Sequence, residues 1–133
     1  MASIIVVDDS PIVRAVVVAT LSEVGHDVVE AENGEEFLEL ALGEHFDVAL
    51  LDILMPVVNG VEALREFRAR GGTTEVILMT SRMEALVSDV FDEQELGGHL
   101  IKPLSTAEVN AAVEAVLDSV DPRRPSLRPV SFY

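Results

Sequence analysis

Apolar runs of strand length alternate along this chain with stretches whose apolar residues recur at helical spacing. Residues 3–7 are apolar after the first position and predict a first strand. Ser10 then offers an N-cap and Pro11 a first-turn residue whose missing N–H costs nothing. The helix that follows is predicted to about residue 24, with Val13, Val16, Val17 and Leu21 inward, and Gly25 supplies a left-handed stop. Residues 27–31 predict a second strand, Asn33-Gly34 a turn, and residues 35–42 a second helix with Phe37, Leu38 and Ala41 inward. Residues 46–51 are apolar almost throughout, as expected of a strand covered on both faces. A loop through Pro56 and Gly60 leads to a third helix at about 61–70, ended by Gly71-Gly72. Residues 75–79 predict a fourth strand and residues 84–96 a fourth, acidic helix carrying Glu84, Asp89, Asp92, Glu93 and Glu95. Residues 99–101 predict a fifth strand. A fifth helix opens at Ser105, which with Glu108 makes a capping-box pattern, and ends near residue 120. Strands alternating with helices in this order predict an α/β domain around a doubly wound, five-stranded parallel sheet.

Composition narrows the picture. The chain has 133 residues, a length that fits one domain, and 49% of them are apolar, enough for a substantial core. A net charge of −15 repels nucleic acid and anionic membrane surfaces, so neither is expected as a direct partner. There is no cysteine, which excludes disulfides and thiolate metal sites. No apolar run is long enough to span a bilayer, and the N-terminus lacks the basic region of a signal peptide, so a cytoplasmic protein is expected. Residues 121–133 carry three prolines and three arginines without periodicity and predict a tail or linker beyond a domain at 1–120.

The chemistry sits at the ends of the apolar runs. Asp8-Asp9 follows the first strand, Asp52 the third, Thr80 the fourth and Lys102-Pro103 the fifth. In a parallel sheet all of these open on one edge, where a ligand crevice forms. Three carboxylates placed together repel one another, and a bound cation relieves them. Hard oxygen ligands suit Mg²⁺. Asp52, on the central strand, is the candidate nucleophile, because a carboxylate can attack phosphorus to form an acyl phosphate. Lys102 and Thr80 would then contact phosphoryl oxygens.

Asp8-Asp9, the run Asp52-Ile53-Leu54-Met55-Pro56-Val57-Val58-Asn59-Gly60, Thr80-Ser81 and Lys102-Pro103, taken in order, resemble the CheY-like receiver domain of bacterial two-component response regulators over about residues 3–120. The resemblance implies a flavodoxin-like (βα)5 fold with strand order 2-1-3-4-5. It implies that Asp52 accepts a phosphoryl group from a phosphohistidine on a sensor histidine kinase or phosphotransfer protein. Asp9, Asp52 and the Leu54 carbonyl would ligate Mg²⁺, with Asp8 acting through water. Leu54 and Ser81 would give backbone contacts to the phosphoryl group, and the peptide before Pro103 would be cis. Switching would move Thr80 and its loop, and would turn the strand-five residue inward. That residue is usually Tyr or Phe in the family and is His99 here, whose charge can change near neutral pH. Full switching requires about 5 kcal/mol of preference for the active state. Leu54 and Arg82 occupy the positions that tune hydrolysis in the family, and Leu54 cannot orient a water, so slow self-dephosphorylation is expected.

Two rivals share these ingredients. One is a receiver-like interaction or dimerisation module that works without phosphorylation. The other is an aspartyl phosphatase of the haloacid-dehalogenase type, which would place Asp-x-Asp after the first strand and carry a cap, where this chain has Asp8-Asp9-Ser10 and no room for one. Of the other residues, His26 and His45 are expected in solvated loops, and Met55 and Met79 in the core. The first helix carries an uncharged strip, Ala15, Val18, Ala19 and Ser22, and the fifth another, Ala111, Ala112, Ala115 and Ser119. Receivers usually hold charged or polar groups there, so the strips suggest a homodimer or partner contact through these two helices.

Overall fold

The computed structural model describes residues 2–53, 55, 58–80, 98–102 and 104–120. The elements are β1 (Ser3–Val7), α1 (Pro11–Glu23), β2 (Asp27–Ala31), α2 (Gly34–Gly43), β3 (Val48–Asp52), α3 (Gly60–Ala69), β4 (Glu75–Thr80), β5 (Gly98–Ile101) and α4 (Thr106–Val120). Thus α4 is the helix expected fifth from sequence. The expected helix at 84–96, Ser81, Arg82 and the tail at 121–133 lie outside the described residues, as do Leu54 and Pro103. Of Thr80 and His99 only the backbone is described.

The five strands form one parallel sheet in the order β2-β1-β3-β4-β5. Strand side chains alternate between its faces, and the core divides accordingly. On one face Ile5, Val7, Ala49, Leu51 and Leu78 pack with Phe37 and Ala41 of α2 and Ala63, Leu64 and Phe67 of α3. The Phe37 and Phe67 rings meet at 5.2 Å between centroids and 57° between planes, a tilted pair that locks α2 to α3. On the opposite face Ile4, Val6, Val48, Leu50, Ile77 and Met79 pack with Val17 and Leu21 of α1 and Val109, Val113 and Val116 of α4. All five residues of β3 are buried, which explains its near-continuous apolar run. Met55 and Met79 both join the core.

Helix starts follow the side chains that accept the first free N–H groups. Ser10 Oγ accepts from Val13 N at 3.3 Å, Asn33 Oδ1 from Glu36 N at 2.8 Å, Asn59 Oδ1 from Glu62 N at 2.9 Å and Ser105 Oγ from Glu108 N at 3.1 Å. Asn33 is therefore a cap as well as a turn residue. Gly25 has φ of 94°, the left-handed stop expected after α1.

The phase of α1 differs from the sequence reading. Val16 was expected inward and is 48% exposed, whereas Thr20 is buried. The Thr20 hydroxyl donates to the Val16 carbonyl at 2.8 Å, so the helix backbone satisfies its polarity and its methyl joins the core. Val18, expected on the outer strip, packs against the core, and Ala112 of α4 is buried too. The exposed uncharged strip is instead Ile12, Ala15, Val16 and Ala19, one helical face. Of the predicted strip on α4, Ala111, Ala115 and Ser119 are half-buried. His45 is exposed as expected, but His26 is half-buried and its Nδ1 accepts from the Ala2 N–H at 3.2 Å.

Candidate functional site

The strand order creates the site. The chain moves from β1 outward to β2, then crosses back to β3 on the other side of β1, leaving a crevice at the C-terminal edge between these two central strands. Val7 pairs with Leu51, so the next residues of the two strands, Asp8 and Asp52, arrive side by side. Asp52 is itself in register with Met79 of β4, and Thr80 with Ile101 of β5, which brings the backbone before Lys102 to the same edge.

Asp8, Asp9 and Asp52 each present a carboxylate oxygen within 4.8 Å of the others. Asp8 is fully buried and Asp52 nearly so, while Asp9 faces solvent. Lys102 reaches across the crevice: its Nζ donates to Asp8 Oδ2 at 2.6 Å and lies 3.4 Å from Asp52 Oδ2. One ammonium against three acids leaves an excess of negative charge in a largely water-excluded place, which favours a further cation. An octahedral Mg²⁺ with ligand bonds of about 2.1 Å spaces its ligand oxygens by about 3–4 Å, so the donor set has the chemistry and nearly the dimensions for that ion.

Local geometry fixes these groups. Asp8 Oδ1 accepts the Ser10 N–H at 2.9 Å, turning the chain from β1 into α1. The Asp8 N–H donates to Ala31 O at 3.2 Å and its carbonyl accepts from Arg14 Nη1 at 2.6 Å. Below Asp52, Gly60 N donates to Ile53 O at 2.8 Å, and a Cβ on Gly60 would collide with the Asp52 carbonyl. Glycine is required there because α3 starts against the Asp52 backbone.

Asp8, Asp9, Asp52 and Lys102 are thus brought together as the sequence suggested, and the backbones of Thr80 and β5 lie at the same edge. Ala15, Val18, Ala19, Ala111 and Ala115 lie away from it on α1 and α4. The sequence reading missed Arg14 and the tight seat of Gly60. The Asn59-Gly60 pair after an acidic strand end carried a signal for the second; nothing marked the first.

Comparison with known proteins gives the same family. Residues 4–114 match the response regulator receiver domain. The chain is 35% identical over 119 residues to the protein PilH of Pseudomonas aeruginosa, covering 88% of this chain and 98% of PilH. It is 31% identical over 123 residues to the alkaline phosphatase synthesis transcriptional regulatory protein PhoP of Bacillus subtilis, covering 92% of this chain and 51% of PhoP. It therefore spans about half the length of PhoP, and of the probable transcriptional regulator ycf27 of Porphyridium aerugineum, which it matches at 34% identity. Among solved structures, the chemotaxis protein CheY4 of Vibrio cholerae superposes with a TM-score of 0.80 at 29% identity, over 87% of this chain and 98% of that one. The response regulator TrrA of Thermotoga maritima, solved with Mg²⁺ and BeF, gives 0.79 at 29% identity over 87% and 99%. With the motif residues converging at one sheet edge and the match running through four-fifths of its length, the chain belongs to the response regulator receiver domains.

Proposed function

We propose that Asp52 is the phosphoacceptor of this receiver, charged by a phosphohistidine donor in the presence of Mg²⁺. The observation that carries this is the meeting of Asp8, Asp9 and Asp52 within 4.8 Å, with the Lys102 ammonium 3.4 Å from Asp52 Oδ2. Asp8, Asp9 and Asp52 would hold the ion, which when bound draws charge from the transferring phosphoryl group. A carboxylate oxygen of Asp52 attacks phosphorus. The bond from phosphorus to the donor imidazole nitrogen breaks, and its electron pair stays on that nitrogen, which takes up a proton. Lys102 would exchange its 3.4 Å contact with Asp52 for one with a phosphoryl oxygen. Loss of that carboxylate's negative charge, and the new dianionic group beside Lys102, would bias the surrounding loops.

Mass spectrometry after incubation with acetyl phosphate and Mg²⁺ tests this reading. The wild type should gain one phosphoryl group and Asp52→Asn none. A phosphoryl group retained in Asp52→Asn, or absent from the wild type, overturns it.

A second copy of the chain, meeting it through α1 and α4, belongs to the same reading. Copies of net charge −15 repel, so a homodimer needs a seam free of acids. Ile12, Ala15, Val16 and Ala19 supply an exposed one, on a helix that packs beside α4.

A further inference from the structure

Arg14 stands in the first turns of α1, yet its side chain is only 12% exposed. It folds back under the β1–α1 turn. Nη1 donates to the Asp8 carbonyl at 2.6 Å, Nε to Glu30 Oε1 at 3.3 Å, and Nη2 lies 3.9 Å from Glu32 Oε1. Glu30 belongs to β2 and Glu32 follows it. One planar guanidinium therefore ties the start of the turn to the neighbouring strand, with a separate nitrogen for each partner.

The carbonyl it holds is a particular one. The Asp8 N–H faces β2, donating to Ala31 O, and the pairing of β1 with β2 ends at Val7 and Ala31, so the Asp8 carbonyl on that side lies beyond the sheet ladder. That carbonyl belongs to the peptide joining Asp8 to Asp9. Its N–H side is Asp9's own backbone, so the direction in which the plane lies sets where the Asp9 Cα, and from it the carboxylate, is aimed. Asp8 needs no such help, because Ser10 N–H and Lys102 grip its two carboxylate oxygens. Among the described residues nothing bonds the Asp9 carboxylate. Its approach to Asp8 and Asp52 depends on the backbone alone.

We infer that Arg14 is a positioning residue for the metal site: by fixing the Asp8–Asp9 peptide plane it aims the exposed Asp9 carboxylate at the ion held with Asp8 and Asp52. This rests on the metal reading of the acidic cluster given above. The effect opposes simple electrostatics. A guanidinium near a divalent cation repels it, so removing the charge alone would tighten metal binding. Loss of aim would weaken it, and partners that orient metal ligands carry about 10- to 100-fold in affinity.

The opposite signs make the test direct. The dissociation constant for Mg²⁺ is measured on the full chain from the dependence of its unfolding midpoint on MgCl₂ at fixed ionic strength, with the midpoint in EDTA as the measure of fold alone. Arg14→Ala and Arg14→Lys should each raise the dissociation constant by about tenfold or more, Lys included because an ammonium cannot serve the carbonyl and two carboxylates in one plane. A merely structural Arg14 would lower the midpoint equally at every Mg²⁺ concentration and leave the constant unmoved, which overturns the inference. Tighter binding in Arg14→Ala, or wild-type binding in Arg14→Lys, overturns it as well. Should Arg14→Ala fail to fold, Arg14→Lys decides. A wild-type midpoint indifferent to Mg²⁺ would instead remove the metal reading itself, and the inference with it.

Discussion

The Lys102 ammonium lies 2.6 Å from Asp8 Oδ2, joining two residues 94 positions apart across the crevice. It neutralises part of the acidic cluster and, in doing so, competes for it. Lys102→Met should therefore act in two directions. Without Mg²⁺ it strands a buried carboxylate and should lower stability by about 2 kcal/mol, less than the loss for a fully buried pair because Lys102 is partly open to water. With Mg²⁺ the vacated oxygen is available, and the ion should bind more tightly than in the wild type. Urea unfolding in EDTA and across a MgCl₂ series measures both.

Asp52 carries the complementary expectation. It is one of three acids facing one lysine, its carboxylate within 4.8 Å of those of Asp8 and Asp9. Asp52→Asn removes a repelling charge at nearly constant volume. In EDTA it should stabilise the chain by about 1 kcal/mol, and the stabilisation that Mg²⁺ gives the wild type should shrink to near zero. Thermal unfolding with and without Mg²⁺ reads the difference.

Two glycines separate crowding from backbone preference. At Gly60 an added methyl meets the Asp52 carbonyl, a backbone atom with nowhere to move, so Gly60→Ala should cost about 3 kcal/mol and weaken Mg²⁺ binding by displacing Asp52. At Gly43, the last residue of α2, nothing lies within 4 Å of such a methyl, and Gly43→Ala should add about 0.5 kcal/mol by restricting the unfolded chain. Paired urea titrations test the contrast.

Val16 is 48% exposed on α1, beside Ile12, Ala15 and Ala19, so Val16→Asp should change the unfolding free energy by no more than about 0.5 kcal/mol. If copies of the chain associate through that face, sedimentation equilibrium will show a concentration-dependent dimer for the wild type and a monomer for the variant. A wild type that stays monomeric at high concentration ends the homodimer proposal.

Strand positions were legible because continuous burial, after Ser3 in β1 and throughout β3, leaves unbroken apolar runs. The convergence of Asp8, Asp52 and Lys102 was legible because parallel strands share an edge. The phase of α1 was not: hydrophobicity ranks Val16 above Thr20, but a threonine whose hydroxyl is spent on its own helix behaves as an apolar residue. Arg14 was hidden for a different reason. Its partner at the site is a main-chain carbonyl, which every residue possesses, so no side-chain motif announces the contact.

The closure of the segment after β3 has an evolutionary consequence. Because Gly60 hydrogen-bonds to Ile53 and abuts Asp52, both ends of the intervening stretch are pinned beside Asp52. Insertions or divergence between Ile53 and Gly60 would leave the Asp52 backbone anchored by contacts that lie outside the changed stretch.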